Sequence, residues 1–179
     1  MGSSLVGAGQ SLWTHFTAKA ELVGAAVMRT ASDAGAAALL HEAAASYVCT
    51  QSVARAFPRV ADGAAQPTPR TGQSSASATP EVVAAAQFAV AETGSLALDE
   101  ARPERGACFL AERLWVLVPE AAIVASLDLG LERLHELVRG GARHPLLMTG
   151  PSRTADIERT LTIGVHGPRA LVVVVVGGA

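Results

Sequence analysis

The sequence predicts an α/β domain with three layers, α/β/α, around a largely parallel sheet. Three observations predict it. Short apolar runs alternate along the chain with stretches of helical spacing. One run, Ala170 to Val176 ("ALVVVVV"), is apolar on both faces, as in a strand covered by helices on each side. Half of the 179 residues are hydrophobic, which suffices for one sizeable core, so residues 1–179 read as a single domain.

The elements follow in order. Leu12, Phe16 and Val23 stand near helical spacing, with Lys19 and Glu21 on other faces and Gly24 as a stop, so a first helix covers 12–23. "AAVMRTA" (25–31) reads as a strand that feeds a helix over "DAGAAALLHEAAAS" (33–46), capped by Ser32 or Asp33. "YVCTQ" (47–51) is a second short buried strand. Residues 58–80, "PRVADGAAQPTPRTGQSSASATP", have no aliphatic period to bury and read as a mobile loop, either an unstructured connection or a solvated lid.

Beyond "EVVAAA", the stretch "FAVAETGSLAL" (88–98) holds two apolar runs around Glu92–Ser95, followed by the polar stretch "DEARPERG" (99–106). "RLWVLVPEAAIV" (113–124) is apolar, with Pro119 breaking or bending it. "SLDLGLERLHELVRGG" (126–141) reads as an amphipathic helix with Leu127, Leu131, Leu134 and Val138 on its apolar face, Ser126 as cap and Gly140–Gly141 as terminator. The last units are a strand "PLLMTG" (145–150), a helix "TADIERTLTIG" (154–164) and the strand "ALVVVVV".

Composition excludes several function classes. A net charge of -2 with 17% charged residues makes no field that collects nucleic acid or anionic membrane. The longest apolar run is far shorter than the roughly 20 residues a membrane-spanning helix needs. "MGSSLVGAGQ" carries no Lys or Arg and so lacks a secretory leader, and Val6 occupies the Ser/Thr position of a myristoylation pattern; the expectation is a cytoplasmic protein. Cys49 and Cys108 stand alone in distant segments and read as small buried hydrophobes rather than zinc or iron-sulfur ligands. Glu132 and His135 have the Glu-x-x-His spacing of a di-iron site but lack the second copy such a site needs, and His15, His41 and His144 are isolated.

The richest chemistry lies in "TGPSRTADIE" (149–158). A strand ending at Met148, a loop at Gly150–Pro151 and a helix beginning near Thr154 would place free backbone amides at the carboxyl edge of the sheet, where α/β folds bind ligands. Ser152 or Thr154 then caps the helix, Asp156 sits in its first turn, and Arg153 points toward an incoming anion; the plainer reading is that these residues only cap a helix and turn a corner. No Gly-Lys-Ser/Thr ending is present, so this is not a nucleotide loop, and "VGAGQS" near the start lacks both the preceding strand and the third glycine of a dinucleotide fingerprint.

Two further positions combine titratable groups with glycine turns. Glu92 is placed to act as general base or nucleophile, or to fix its turn by accepting from backbone amides, with Gly94 giving freedom and Thr93 and Ser95 giving hydroxyls. His166, between Gly164 and Gly167, serves either as a proton shuttle or as a helix-end histidine. Arg169 binds a carboxylate or phosphate, or pairs with a surface acid.

Three segments in order, "AETGS" (91–95), "TGPSRTADIE" (149–158) and "GVHGPR" (164–169), closely resemble the LUD-domain family typified by lactate utilization protein C. The resemblance is strong from about Glu81 to Val176 and only architectural before that. It implies a fold similar to the sugar-phosphate isomerase and coenzyme A transferase superfamily. It also implies a part in oxidising L-lactate to pyruvate beside partner subunits that carry the iron-sulfur clusters, since two distant cysteines cannot hold one here. The ligand would be a small anionic metabolite held by Gly150–Thr154 and the Glu92 turn, and an alanine-rich surface is compatible with a homodimer. The competing readings are a free-standing isomerase- or transferase-like enzyme that uses Glu92 on a phosphorylated or thioester substrate, and a sensor that binds an anion without chemistry.

Overall fold

The computed structural model describes residues 11–44, 46–65, 81–154, 162–163 and 167–178. Its first half alternates as the spacing predicts. Helix α1 (Leu12–Leu22) opens on Ser11, whose hydroxyl accepts from the Thr14 amide. Strand β1 (Ala26–Thr30) leads into α2 (Asp33–Ala43), where the Ser32 hydroxyl accepts from Gly35 N at 3.2 Å. Strand β2 (Tyr47–Cys49) precedes α3 (Gln51–Ala56) and α4 (Pro58–Asp62).

Helix α4 corrects the start of the expected loop. Pro58 occupies its first turn, where a missing N–H costs nothing, and the side chain of Asp33 accepts from Arg59 N at 3.0 Å. Val60 is fully buried, so this turn has an anchor that its sequence neighbourhood conceals. Residues 66–80 of that segment lie outside the described residues.

Beyond it come β3 (Glu81–Ala85), β4 (Phe88–Val90), β5 (Ser95–Leu98), α5 (Glu104–Leu110) and β6 (Arg113–Pro119). After Pro119 a short 3-10 turn separates β6 from β7 (Ile123–Val124), the break that the proline predicts. Helix α6 (Leu127–Arg139), β8 (Leu146–Thr149), β9 (Arg153–Thr154), β10 (Thr162–Ile163) and β11 (Ala170–Val176) complete the described elements.

The main sheet is five-stranded and parallel throughout, in the order β1-β11-β6-β3-β2. Between β1 and the central β6 lies β11, whose residues Val173 to Val176 are fully buried. Each such valine contributes about 1.5–3 kcal/mol relative to exposure, which is why a run without a polar face belongs there. At the opening of β3, Glu81 accepts from Arg113 Nη1 (2.9 Å) and Trp115 Nε1 (2.6 Å), tying β3 to β6.

A second sheet, which periodicity did not reveal, adds a layer: β7-β4-β5-β8, with β5 antiparallel to both neighbours. Side chains of α1, of α5 and of this sheet's inner face pack on one side of the parallel sheet, where Phe16, Leu96, Cys108, Leu114 and Val173 share a core. Residues of α2, α3 and α4 cover the other side, where Leu40, Val53 and Val60 meet Trp115 and Val174. Helix α6 covers the outer face of the second sheet.

The face α6 uses differs from expectation. Leu127, Leu134 and Leu137 pack toward Phe88 and Val90, whereas Leu131 and Val138 are 49% and 52% exposed. The helix is rotated about its axis so that the stripe of Leu127, Gly130, Leu134 and Leu137, rather than that of Leu127, Leu131, Leu134 and Val138, meets the sheet.

Candidate functional site

Two regions hold the chemistry: the convergence of the signature segments, and a crevice at the opposite edge of the parallel sheet. The first is built by strand pairing. Register sets Ser95 of β5 against Thr149 of β8, and the buried Ser95 Oγ lies 2.7 Å from both Thr93 Oγ1 and Thr149 Oγ1. Ser152 N donates to the Pro168 carbonyl at 3.1 Å, and a Cβ on Gly167 would stand 2.9 Å from Ser152 Cβ. Residues 91–95, 149–152 and 167–168 therefore meet, although they are far apart in the chain.

Two glycines press this junction onto α1. Gly94 (φ +68°) and Gly150 (φ +72°) adopt the left-handed region, and a Cβ would meet Ala20 N and Val23 O respectively at 2.5 Å. The backbone at both turns thus lies against the last turn of α1 and the residue after it.

Glu92 accepts at Oε2 from Leu127 N, 2.8 Å away, while its own amide donates to the Ala125 carbonyl. The carboxylate sits at the positive end of α6, beside Ser126, whose hydroxyl accepts from Leu129 N. Arg169 Nη1 pairs with Glu112 Oε1 at 3.0 Å, both side chains more than half exposed. Pro151 is half-buried. Asp156 and His166 lie outside the described residues.

Two details of the expected corner are corrected. Arg153 and Thr154 form β9, antiparallel to Thr162 and Ile163 of β10, so a strand rather than a helix begins there. The junction also lies at the amino edge of the parallel sheet, because residues 167–169 lead directly into β11, whose first residue pairs with Arg113 at the start of β6. The expectation treated β8 as a strand of the parallel sheet; it belongs instead to the second sheet, antiparallel to β5.

The carboxyl edge holds something else. Where β2, β3 and β6 end, Ser52, Ala85, Ala86 and Pro119 line a crevice of about 840 Å³ together with residues from the loops before α5 and after α6. Ligands of α/β folds bind outside the carboxyl ends of parallel strands. Glu100, 5% exposed, lies in its wall. Its Oε1 accepts from Thr50 Oγ1 at 2.9 Å and from Ser52 Oγ at 2.5 Å, and Ser52 Oγ in turn accepts from Ala85 N at 3.1 Å.

Burial is the main cause that pushes the Glu100 carboxyl above its ordinary range; the two hydroxyl bonds pull it down, and the charges of Glu104 and Asp99 push it up again. The same burial, with Glu100 and Glu104 nearby, pushes the Cys108 thiol up to about 12. Arg55, Arg102 and Arg143 line the crevice, and none of them forms an ion pair among the described residues. Asp99 and Glu104 are already engaged, accepting from the amides of His144 and Gln51.

Sequence reasoning passed over Thr50, Ser52 and Glu100. A signal existed in "LDE", where an acid directly follows a buried strand, but its partners stand 48 and 50 residues away. Among the described residues, no group of three or more His, Cys, Asp or Glu side chains is arranged to hold a metal ion. No helix of the described residues is long and apolar enough to cross a membrane.

Comparison with known proteins agrees with this architecture. A solved DUF162 family protein from Deinococcus radiodurans superposes with a TM-score of 0.63 at 22% identity, covering 93% of this chain and 96% of that one, and so shares the fold. Lactate utilization protein C of Geobacillus thermodenitrificans is 34% identical over 99 residues, 52% of this chain and 41% of that protein. The protein of the same name from Deinococcus radiodurans is 36% identical over 99 residues, 54% and 46% of the two chains, and the uncharacterized protein YkgG of Escherichia coli is 32% identical over 87 residues, 46% and 38%. Each match spans less than half the length of the curated relative. The LUD domain family matches residues 75–176, which contain all three signature segments; the chain belongs to the LUD domain family.

Proposed function

We propose that this chain is the LUD unit of an L-lactate oxidation system, working in the cytoplasm beside partner subunits that carry iron-sulfur clusters. The observation that carries the reading is the run of relatives named lactate utilization protein C, at 27–36% identity over about half of this chain, together with the family match that holds all three signatures. The chemistry of the chain is consistent with a division of labour. A cluster needs several closely placed thiolates, and this chain has two cysteines, one in β2 and one in α5. Electron transfer then belongs to the partners, and this chain contributes ligand handling.

Removing the chain from its host tests this directly. The reading expects lost or slowed growth on L-lactate with growth on glucose unchanged, and recovery of iron-sulfur subunits with the tagged chain. Undiminished growth on L-lactate would remove it.

A further inference from the structure

The open edge of the parallel sheet carries an inference that does not depend on the lactate reading. The order β1-β11-β6-β3-β2 leaves β1 and β2 at the edges. Edge strands present unpaired main-chain groups that recruit another strand unless something protects them. The β2 edge is protected: the strand has three residues, and Ala65 N, just beyond α4, donates to the Tyr47 carbonyl at 2.9 Å.

Strand β1 has no such cover among the described residues. Its five residues pair with β11 alone. The Thr30 carbonyl accepts from Gly177 N at 2.8 Å, so Thr30 faces β11, and by alternation so do Met28 and Ala26. The amides and carbonyls of Val27 and Arg29 therefore point outward, and no hydrogen bond reaches them among the described residues.

The side chains do not guard this edge either. Met28 stands in register with Val174, which is fully buried, yet Met28 itself is 42% exposed, so the helical cover over that face stops short of β1. Arg29 is the one charged residue of the strand. Its Nε and Nη2 reach Glu120 Oε2 at 2.9 and 2.8 Å, and its guanidinium lies 5.2 Å from the Trp13 ring centre. Glu120 follows β6, two strands in from the edge, so the guanidinium is drawn back over its own sheet.

The edge is self-complementary. When two β1 strands approach antiparallel about a two-fold axis at Met28, Val27 of each copy faces Arg29 of the other, and these are the residues whose main-chain groups point outward. Each such pair exchanges both of its N–H···O bonds. Moving the axis to Val27 or to Arg29 sets one outward residue against a position outside β1, and at Arg29 it also opposes two like charges. With the axis at Met28, that side chain meets its own counterpart in the close position between the bonded pairs, and Val27 lies against the stem of Arg29. Because α1 and α2 flank β1, the same approach brings each helix to its counterpart.

We propose that β1 pairs antiparallel with β1 of a second copy of this chain about a two-fold axis at Met28, making the two parallel sheets one continuous sheet. Sedimentation of the full chain at micromolar concentrations tests the assembly, and a cysteine at the axis tests the register. The natural chain should sediment with twice the mass of one chain. Met28→Lys, which sets two ammonium groups against each other at an exposed position, should raise the dissociation constant ten-fold or more. Under mild oxidation Met28→Cys should give a disulfide-linked dimer, because residues opposed in the close position stand about 4.5 Å apart at Cα, within reach of that bond. Ala26→Cys, which faces Thr30 of the other copy, should link at least ten-fold more slowly. The natural cysteines, Cys108 buried and Cys49 partly so, give little background.

A monomer up to millimolar concentration, a dimer that Met28→Lys leaves intact, or equal linking at positions 26 and 28 would overturn the proposal. If Met28→Lys does not fold, the two cysteine variants still decide. None of these results bears on growth on lactate, so the two readings fail separately.

Discussion

The Glu92 carboxylate and the Leu127 amide, 35 positions apart in the chain, are joined by a 2.8 Å hydrogen bond that fixes the β4–β5 turn to the start of α6. Helix starts leave amides without intrahelical partners, and a carboxylate there satisfies one and meets the helix dipole. Glu92→Ala should therefore cost about 1–2 kcal/mol in urea unfolding. Glu92→Gln, which keeps an acceptor, should cost under about 1 kcal/mol. Equal losses in the two variants would show that the charge, not the bond, matters.

Gly94 and Gly150 make a sharper case. Both combine positive φ with backbone of α1, or of the residue after it, at 2.5 Å from an added Cβ. The left-handed conformation alone costs an alanine about 1–2 kcal/mol, and the contact adds to that. Either substitution should lower the thermal midpoint clearly, whereas Gly106→Ala, at a helical position where a Cβ meets nothing within 4 Å, should leave it unchanged or raise it. Melting curves of the three variants decide.

Stability should depend on pH through Glu100. Its folded carboxyl titrates above the ordinary value of about 4.3, chiefly because it is buried. The folded state then binds the proton more tightly than the unfolded chain. The contribution is fully present below the unfolded value and is lost as pH rises through the folded one. Glu100→Gln cannot titrate, so the stability of the natural chain relative to the variant should fall as pH rises from about 4.3 into the neutral range. Unfolding measured across that range checks the sign; a relative gain with pH would mean that the arginines stabilise the carboxylate.

Both thiols should be inert in the folded chain. Burial pushes Cys49 and Cys108 up to about 12, so little thiolate exists at pH 8. Labelling with a thiol-specific disulfide reagent should be slow in buffer and complete in denaturant. Fast labelling of the folded chain would contradict the burial.

What the sequence disclosed, and what it hid, divides along a physical line. The β11 run, the Ser32 and Ser126 caps and the Pro119 break are local: each follows from a residue's own backbone or burial preference, and each is where spacing placed it. The second sheet depends on which strands pair, and β8 joining β5 rather than the parallel sheet moved the whole "TGPSRT" segment to the other edge. The Glu100 cluster is equally non-local. Thr50, Ser52 and Glu100 are unremarkable singly and acquire meaning only when the start of α3 meets the stretch after β5. The family resemblance found the signature segments, but it carried no information about that crevice.

The strand order has a consequence for how the chain is made. Because β11 lies between β1 and β6, the early βαβ portion emerging from a ribosome has no neighbour for β1 until the last described strand has been synthesised. Until that strand emerges, the nascent protein carries an unpaired edge and bare valine-binding surfaces, which makes it a natural client for chaperones.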